Sequence, residues 1–243
     1  MVSKFKLKLA HFMSLFVPQA VYEQLKKRDT AKQDYAQVYY SQEGEEIILR
    51  RFFNYKNEGF FVDIGAHHPI RFSNTYLLYK MGWRGINIDP MPGSMLEFDR
   101  LRKMDINIEV GIADNAKELN FYLFSEPALN TFSEEKAQQI INKTNYKLIN
   151  TIKVKTKTLA EILQKYVKPS IEIDFFSIDV EGFDLKVLKS NDWKIYKPKV
   201  IVVESNISDI TSLNSCELSI YLENIGYKPF AKTFKSVFYS YVH

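Results

Sequence analysis

Cysteine is nearly missing from this chain of 243 residues; Cys216 stands alone. A single cysteine excludes an internal disulfide and a cysteine zinc cluster, and it points to a reducing, cytosolic setting. Long hydrophobic runs are missing too. No stretch approaches the roughly 20 apolar residues of a membrane span. Charge of one sign is scarce: a net charge of +4 describes a mildly basic solvated surface, too weak to argue for a nucleic-acid partner. There is no internal repeat and no low-complexity segment. Hydrophobic residues at 46% and aromatics at 14% supply the core of one α/β domain carrying an N-terminal extension.

Glycine is also sparse where a nucleotide fold would spend it. The stretch Phe60-Phe-Val-Asp-Ile-Gly-Ala-His-His68 reads as a buried strand, a tight turn and then a helix. Its one glycine, Gly65, permits unusual backbone angles and a close ligand approach. A dinucleotide fingerprint needs three glycines to lay a pyrophosphate on backbone amides, and this turn lacks two of them. It suits instead a ligand with an amino-acid tail and a cationic centre, the shape of S-adenosylmethionine. Asp63 falls at the carboxyl edge of the strand, where ligands bind in open α/β sheets.

Residues 1–32 are basic and amphipathic, with Lys4, Lys6 and Lys8 ahead of Leu9, Phe12 and Leu15. His11 and Ser14 interrupt the apolar core and no cleavage site follows cleanly, which disfavours a signal peptide. The segment reads first as a helix packed on the domain or on a dimer mate, then as a helix lying on a membrane. The predicted organisation is a helical extension over 1–40 and a catalytic domain over 41–243. Ser41 is the predicted N-cap of a helix through Phe53, with acids in its first turn. A helix opening near Arg71, capped by Ser73 or Asn74, runs to Met81. The strand 86–89 ends in Asp89, about 25 residues beyond Gly65. There an acid accepts hydrogen bonds from ribose hydroxyls; the alternative is a cap for the helix 94–103. Asp114, after the strand 106–110, either approaches an adenine amine or forms an Asx turn. Leu119–Phe124 reads as a strand and Ser133 as the start of a helix. Residues 142–153 are polar without strong periodicity, and Thr158 with Glu161 makes a capping box. Two later strands again deliver acids to their carboxyl ends: Ser177-Ile-Asp-Val-Glu-Gly-Phe-Asp184, and Val200–Glu204 with Asn206 behind it. Buried acids need partners. Acids gathered on one rim imply a cationic ligand, a metal or polyhydroxyl chemistry. A helix over 216–225 and an alternating pair, 227–231 and 237–241, close the chain.

Phe61-Val-Asp-Ile-Gly-Ala-His67, Gly82-Trp-Arg-Gly-Ile-Asn-Ile-Asp-Pro90 and Ser177–Asp184, in that order, resemble the FkbM-type methyltransferases, over about 41–239. The resemblance implies a class I methyltransferase fold: a Rossmann-like, seven-stranded, mostly parallel sheet with helices on both faces. It implies S-adenosylmethionine as methyl donor and usually a hydroxyl acceptor, commonly a sugar of a bacterial surface polysaccharide or a natural product. The Ser41-Gln42 and Glu46 segment resembles the short-form members, in which it closes over the cofactor. His68-Pro69 departs from many members. The expected cofactor residues are Gln42, Glu46, Asp63, Gly65, Ala66, His67, Asn74, Asp89, Asp114 and Asp179.

A sugar hydroxyl is a poor nucleophile and asks for a base. Asp179 and Glu181 are the first candidates, then Glu204, then His67 or His68; Asp179 could instead hold the cofactor while Glu181 faces the acceptor. Asp179, Glu204 and Asn206 form an alternative oxygen-only metal set suited to magnesium or calcium, although a metal is not the expectation. The expected partner is a carbohydrate or nucleotide-activated sugar, with membrane contact at most peripheral and a homodimer as an option. The rivals are a natural-product O-methyltransferase, a nucleic-acid methyltransferase and a non-catalytic S-adenosylmethionine-binding protein.

Overall fold

The structure is a computed structural model that describes residues 18, 20, 21, 37–205, 207 and 209–242. The helical extension expected over 1–40 falls almost wholly outside the described residues, and so does Asn206. The chain divides into two compact units, 1–38 and 39–243; the second carries everything below.

Short apolar runs build its centre. β1 (Phe60–Ile64), β2 (Arg84–Asp89), β3 (Ile106–Glu109), β7 (Phe175–Ile178) and β8 (Val200–Glu204) pair in parallel, and β10 (Ser236–Tyr241) with β9 (Tyr227–Lys232) closes the sheet antiparallel. The strand order is β3-β2-β1-β7-β8-β10-β9. Successive side chains point to opposite faces. Val62, Phe176 and Ile201 therefore enter one core, with Leu159, Leu163, Val187 and Leu222 from helices. Phe61, Phe175 and Val202 enter a second, with Leu49, Trp83 and Phe238. A sheet buried on both faces explains why these strands read as continuous apolar runs rather than alternating ones.

The helices are α1 (Glu45–Phe52), α2 (Tyr76–Met81), α3 (Met95–Leu101), α4 (Glu134–Lys143), α5 (Leu159–Tyr166), α6 (Asp184–Lys189) and α7 (Glu217–Asn224). Thr158 and Glu161 form the predicted capping box of α5, and Ser133 caps α4. Two other caps differ from expectation. α1 starts at Glu45 behind Gly44, and Ser41 sits one turn earlier, its Oγ accepting from the Gly44 and Glu45 amides at 3.1 and 3.0 Å. α2 starts only at Tyr76, because residues 71–75 are spent on the site; Ser73 Oγ still accepts from the Tyr76 amide at 3.1 Å.

A second sheet, order β4-β6-β5, comprises β4 (Gly111–Ile112), β5 (Glu118–Phe124) and β6 (Leu148–Lys157). β6 begins within 142–153, the stretch that is polar and without strong periodicity. Its side chains are mostly exposed, so it lacks a buried run, but it pairs with all of β5 and, through Thr156 and Lys157, with β4.

The parallel strands all present their carboxyl ends to one rim. Strand order reverses beside β1, which pairs with β2 on one side and β7 on the other. Ligands bind at such a switch point, and here it lies between Gly65 and Asp179.

Candidate active site

Two clefts meet at this rim, of about 300 Å³ and 250 Å³. Gly65, His67, Asp179 and Glu181 line both.

The first cleft has apolar walls from Met91, Val110, Ile112, Phe121 and Phe132, with Asp89 at its base. Asp89 is buried, and its two oxygens accept the His67 and Met91 amides at 3.0 and 2.9 Å. Those bonds fix the carboxylate and leave lone pairs on both oxygens for a diol. They also show that Asp89 serves its own Asx-type turn rather than capping α3. Burial, only partly offset by the two amides, pushes its pKa up to about 6. The combination of apolar walls and a fixed acid fits a nucleoside.

The second cleft is polar. Gln42, Asp63, Arg71, Asn74, Ser177, Glu204 and Lys235 line it. Asp63 is buried and accepts Thr75 Oγ1 at 2.8 Å; Thr75 Oγ1 in turn accepts from the fully buried Arg102 at 2.8 Å. Arg102 also pairs with Asp105 at 2.8 Å. Burial raises the Asp63 pKa against the pull of Arg102. Asn74 Nδ2 donates to Ser177 Oγ at 3.1 Å. Arg71 donates to both oxygens of Glu126, at 3.1 and 3.3 Å, and lies 3.3 Å from His67 Nε2. Arginine can only donate, so that nitrogen accepts and His67 is neutral. Burial first, then the charges of Arg71 and His68, depress the His67 pKa.

At the junction, Asp179, Glu181 and Glu204 each bring a carboxylate oxygen within 4.8 Å of the others. Asp179 is exposed, its side chain open to the cleft, although protein atoms crowd around its carboxylate. Burial, then the charges of Glu204 and Glu181, raise its pKa well above the ordinary carboxylate range. Glu204 is pushed up to about 7 by burial and by Glu181, with Lys136 pulling the other way. Three such carboxylates cannot all ionise cheaply, and a base titrating near neutrality is what proton abstraction needs. Lys136 of α4 holds Glu181 Oε2 at 2.8 Å.

Gly65 is required by the fold itself. Its φ is +82°, and a Cβ there would lie 1.8 Å from the Asp179 carbonyl oxygen. The glycine lets the β1 and β7 turns touch, which sets Asp179 beside the first turn.

Other predicted residues sit elsewhere. Ala66 lines the second cleft. Glu46 is fully buried, lines neither cleft, and grips the Tyr40 and Ser41 amides and the Ser41 hydroxyl. It shapes the segment that brings Gln42 to the cleft. Asp114 is exposed, lines neither cleft and faces Lys117 at 3.8 Å. His68 Nδ1 accepts the Ile70 and Arg71 amides, and its Nε2 faces Glu97 at 3.2 Å, so it serves the loop. Lys136, Lys235 and the Arg71–Glu126 pair escaped the sequence reading. Lys136 carried a faint signal, flanking the buried Ala137 and Ile140 of α4.

The Methyltransferase FkbM domain model matches residues 63–228, more than half of the chain. The chain belongs to the FkbM methyltransferase family. It is an S-adenosylmethionine-dependent methyltransferase, and its strand order is that of the class I fold. No curated protein sequence matches it. Among solved structures it is similar to a precorrin-6y C5,15-methyltransferase from Geobacter metallireducens GS-15, at 13% identity and a TM-score of 0.41, covering 86% of this chain and 96% of that one. No described helix of the methyltransferase is long and apolar enough to cross a membrane.

Proposed function

We propose that this methyltransferase transfers a methyl group to a hydroxyl of a sugar, free or nucleotide-activated, of the kind built into bacterial surface polysaccharide. The observation that carries the reading is the second cleft. Donors (Gln42, Arg71, Lys235) and acceptors (Asp179, Glu204, Glu126) line it, directly beside the nucleoside-shaped cleft. Such a lining offers hydrogen-bond partners to a polyhydroxyl ligand.

S-adenosylmethionine supplies an electrophilic methyl on a sulfonium when bound. Asp89 would hold its ribose hydroxyls, and the Met91, Val110 and Phe121 walls its base. Asp63 and Asn74 would face its amino-acid end. Asp179 stands at the junction of the two clefts and takes the acceptor hydroxyl's proton onto its carboxylate. Glu204 beside it raises its proton affinity, and the pair titrates as a unit. Alignment of the hydroxyl in the polar cleft supplies the rest of the rate.

The test pairs calorimetric titration of S-adenosylhomocysteine with transfer of a labelled methyl to a panel of sugars, nucleotide sugars and phenols. Label on a sugar, and its loss in Asp179→Asn by about 10²-fold or more, supports the reading. Label confined to phenols would replace it.

A further inference from the structure

Glu181 and Gly182 both lie in the left-handed region, with φ of 52° and 86°. For a glutamate that conformation is strained and persists only where neighbours hold it. Three residues hold this turn. Thr131 Oγ1 donates to the Glu181 carbonyl at 2.8 Å. Asp184 accepts the Val180 and Gly182 amides at 3.3 and 3.1 Å. Lys136 does two things at once: its stem lies where a Cβ on Gly182 would meet it, at 3.6 Å, and its ammonium sits 2.8 Å from Glu181 Oε2. Both Lys136 and Glu181 are largely shielded, with side-chain exposures of 19% and 11%. Facing the cluster are Asp179 and Glu181 from the turn, Asp184 from α6, Glu204 from β8, Lys136 from α4, and Lys235 between β9 and β10.

We propose that Lys136 is the fixed counter-cation of the Asp179–Glu181–Glu204 cluster: it seats Glu181 in its strained turn and occupies the cluster's need for positive charge, so that divalent metal ions are excluded. Three convergent carboxylate oxygens without a cation would be a magnesium- or manganese-type site. With an ammonium already against one of them, a divalent ion must displace a shielded ion pair and meet a like charge. Lys136 is therefore a positioning residue, reaching the junction from the layer that holds β4, β5 and β6. The positioning role rests on the methyl-transfer reading; exclusion of metal does not.

The probe is Mn²⁺ alone, titrated into the full-length protein and followed by electron paramagnetic resonance. Wild type is compared with Lys136→Met and Lys136→Arg. We expect Lys136→Met to bind Mn²⁺ at least about tenfold more tightly than wild type, and Lys136→Arg, which restores the charge, to behave as wild type. Equal Mn²⁺ binding by wild type and Lys136→Met, tight or absent, overturns the proposal, as does Lys136→Arg behaving like Met. Should Lys136→Met not fold, Lys136→Gln takes its place, and one Mn²⁺ bound tightly by wild type alone still overturns it. None of these readouts needs the acceptor, so failure of the sugar assignment, read by methyl transfer, is a separate result.

Discussion

Glu204 ends β8 beside two other carboxylates, and its burial there has a cost that depends on pH. Its ordinary pKa is 4.5 and in the fold it is pushed to about 7 by burial and by Glu181. A raised acid favours the folded state while protonated and loses that advantage as pH climbs through the folded value. Below pH 4.5 both folded and unfolded chains carry the proton, so Glu204→Gln should leave the melting temperature unchanged. Above pH 7 the wild-type fold contains an ionised carboxylate it disfavours, and the variant should melt higher. Melting curves at pH 4 and pH 8 check this; a wild type that is the more stable at pH 8 would contradict it. Turnover should run the other way, climbing with pH as the Asp179–Glu204 pair loses its proton. Site and stability pull apart here, as in many active sites.

Each strand delivers its acid to the rim, and each following turn decides where the acid points. Asp63, Asp89, Asp179 and Glu204 were legible because an apolar run ending in an acid is a local pattern. Asp114 fits the same pattern but lies exposed, since nothing local says which way the chain leaves Ala113. β6 was missed because a strand with mostly wet side chains has no buried run; the alternation Ile152-Lys-Val-Lys-Thr-Lys157 was its one signal. The helical spacing around Lys136 gives only a faint signal, because its partner Glu181 is distant in the chain and such pairings belong to tertiary structure. The turns make their own prediction. Gly65→Ala places a methyl against the Asp179 carbonyl, so the β1 and β7 turns must part. Affinity for S-adenosylhomocysteine should fall by more than about tenfold. Thr158→Ala, which removes the α5 capping box far from the rim, should cost about 1 kcal/mol of stability and leave that affinity alone. Calorimetry and thermal melts on the two variants separate the effects.

Across the molecule, the seven-stranded sheet works as a fixed rim, and the layer of β4, β5, β6 and α4 furnishes one wall of the first cleft and the cation of the junction. A sheet packed on both faces holds Asp63, Asp89 and Asp179 rigidly, which methyl transfer needs because its rate depends on alignment. Everything at this rim depends on a sulfonium nucleoside lying along β1 and β2. The most direct measurement is a crystal structure of the protein soaked with S-adenosylhomocysteine. The ribose hydroxyls should lie on the Asp89 carboxylate and the base between Met91 and Phe121. A ligand bound elsewhere, or a cleft left empty at saturating concentration, would contradict that placement.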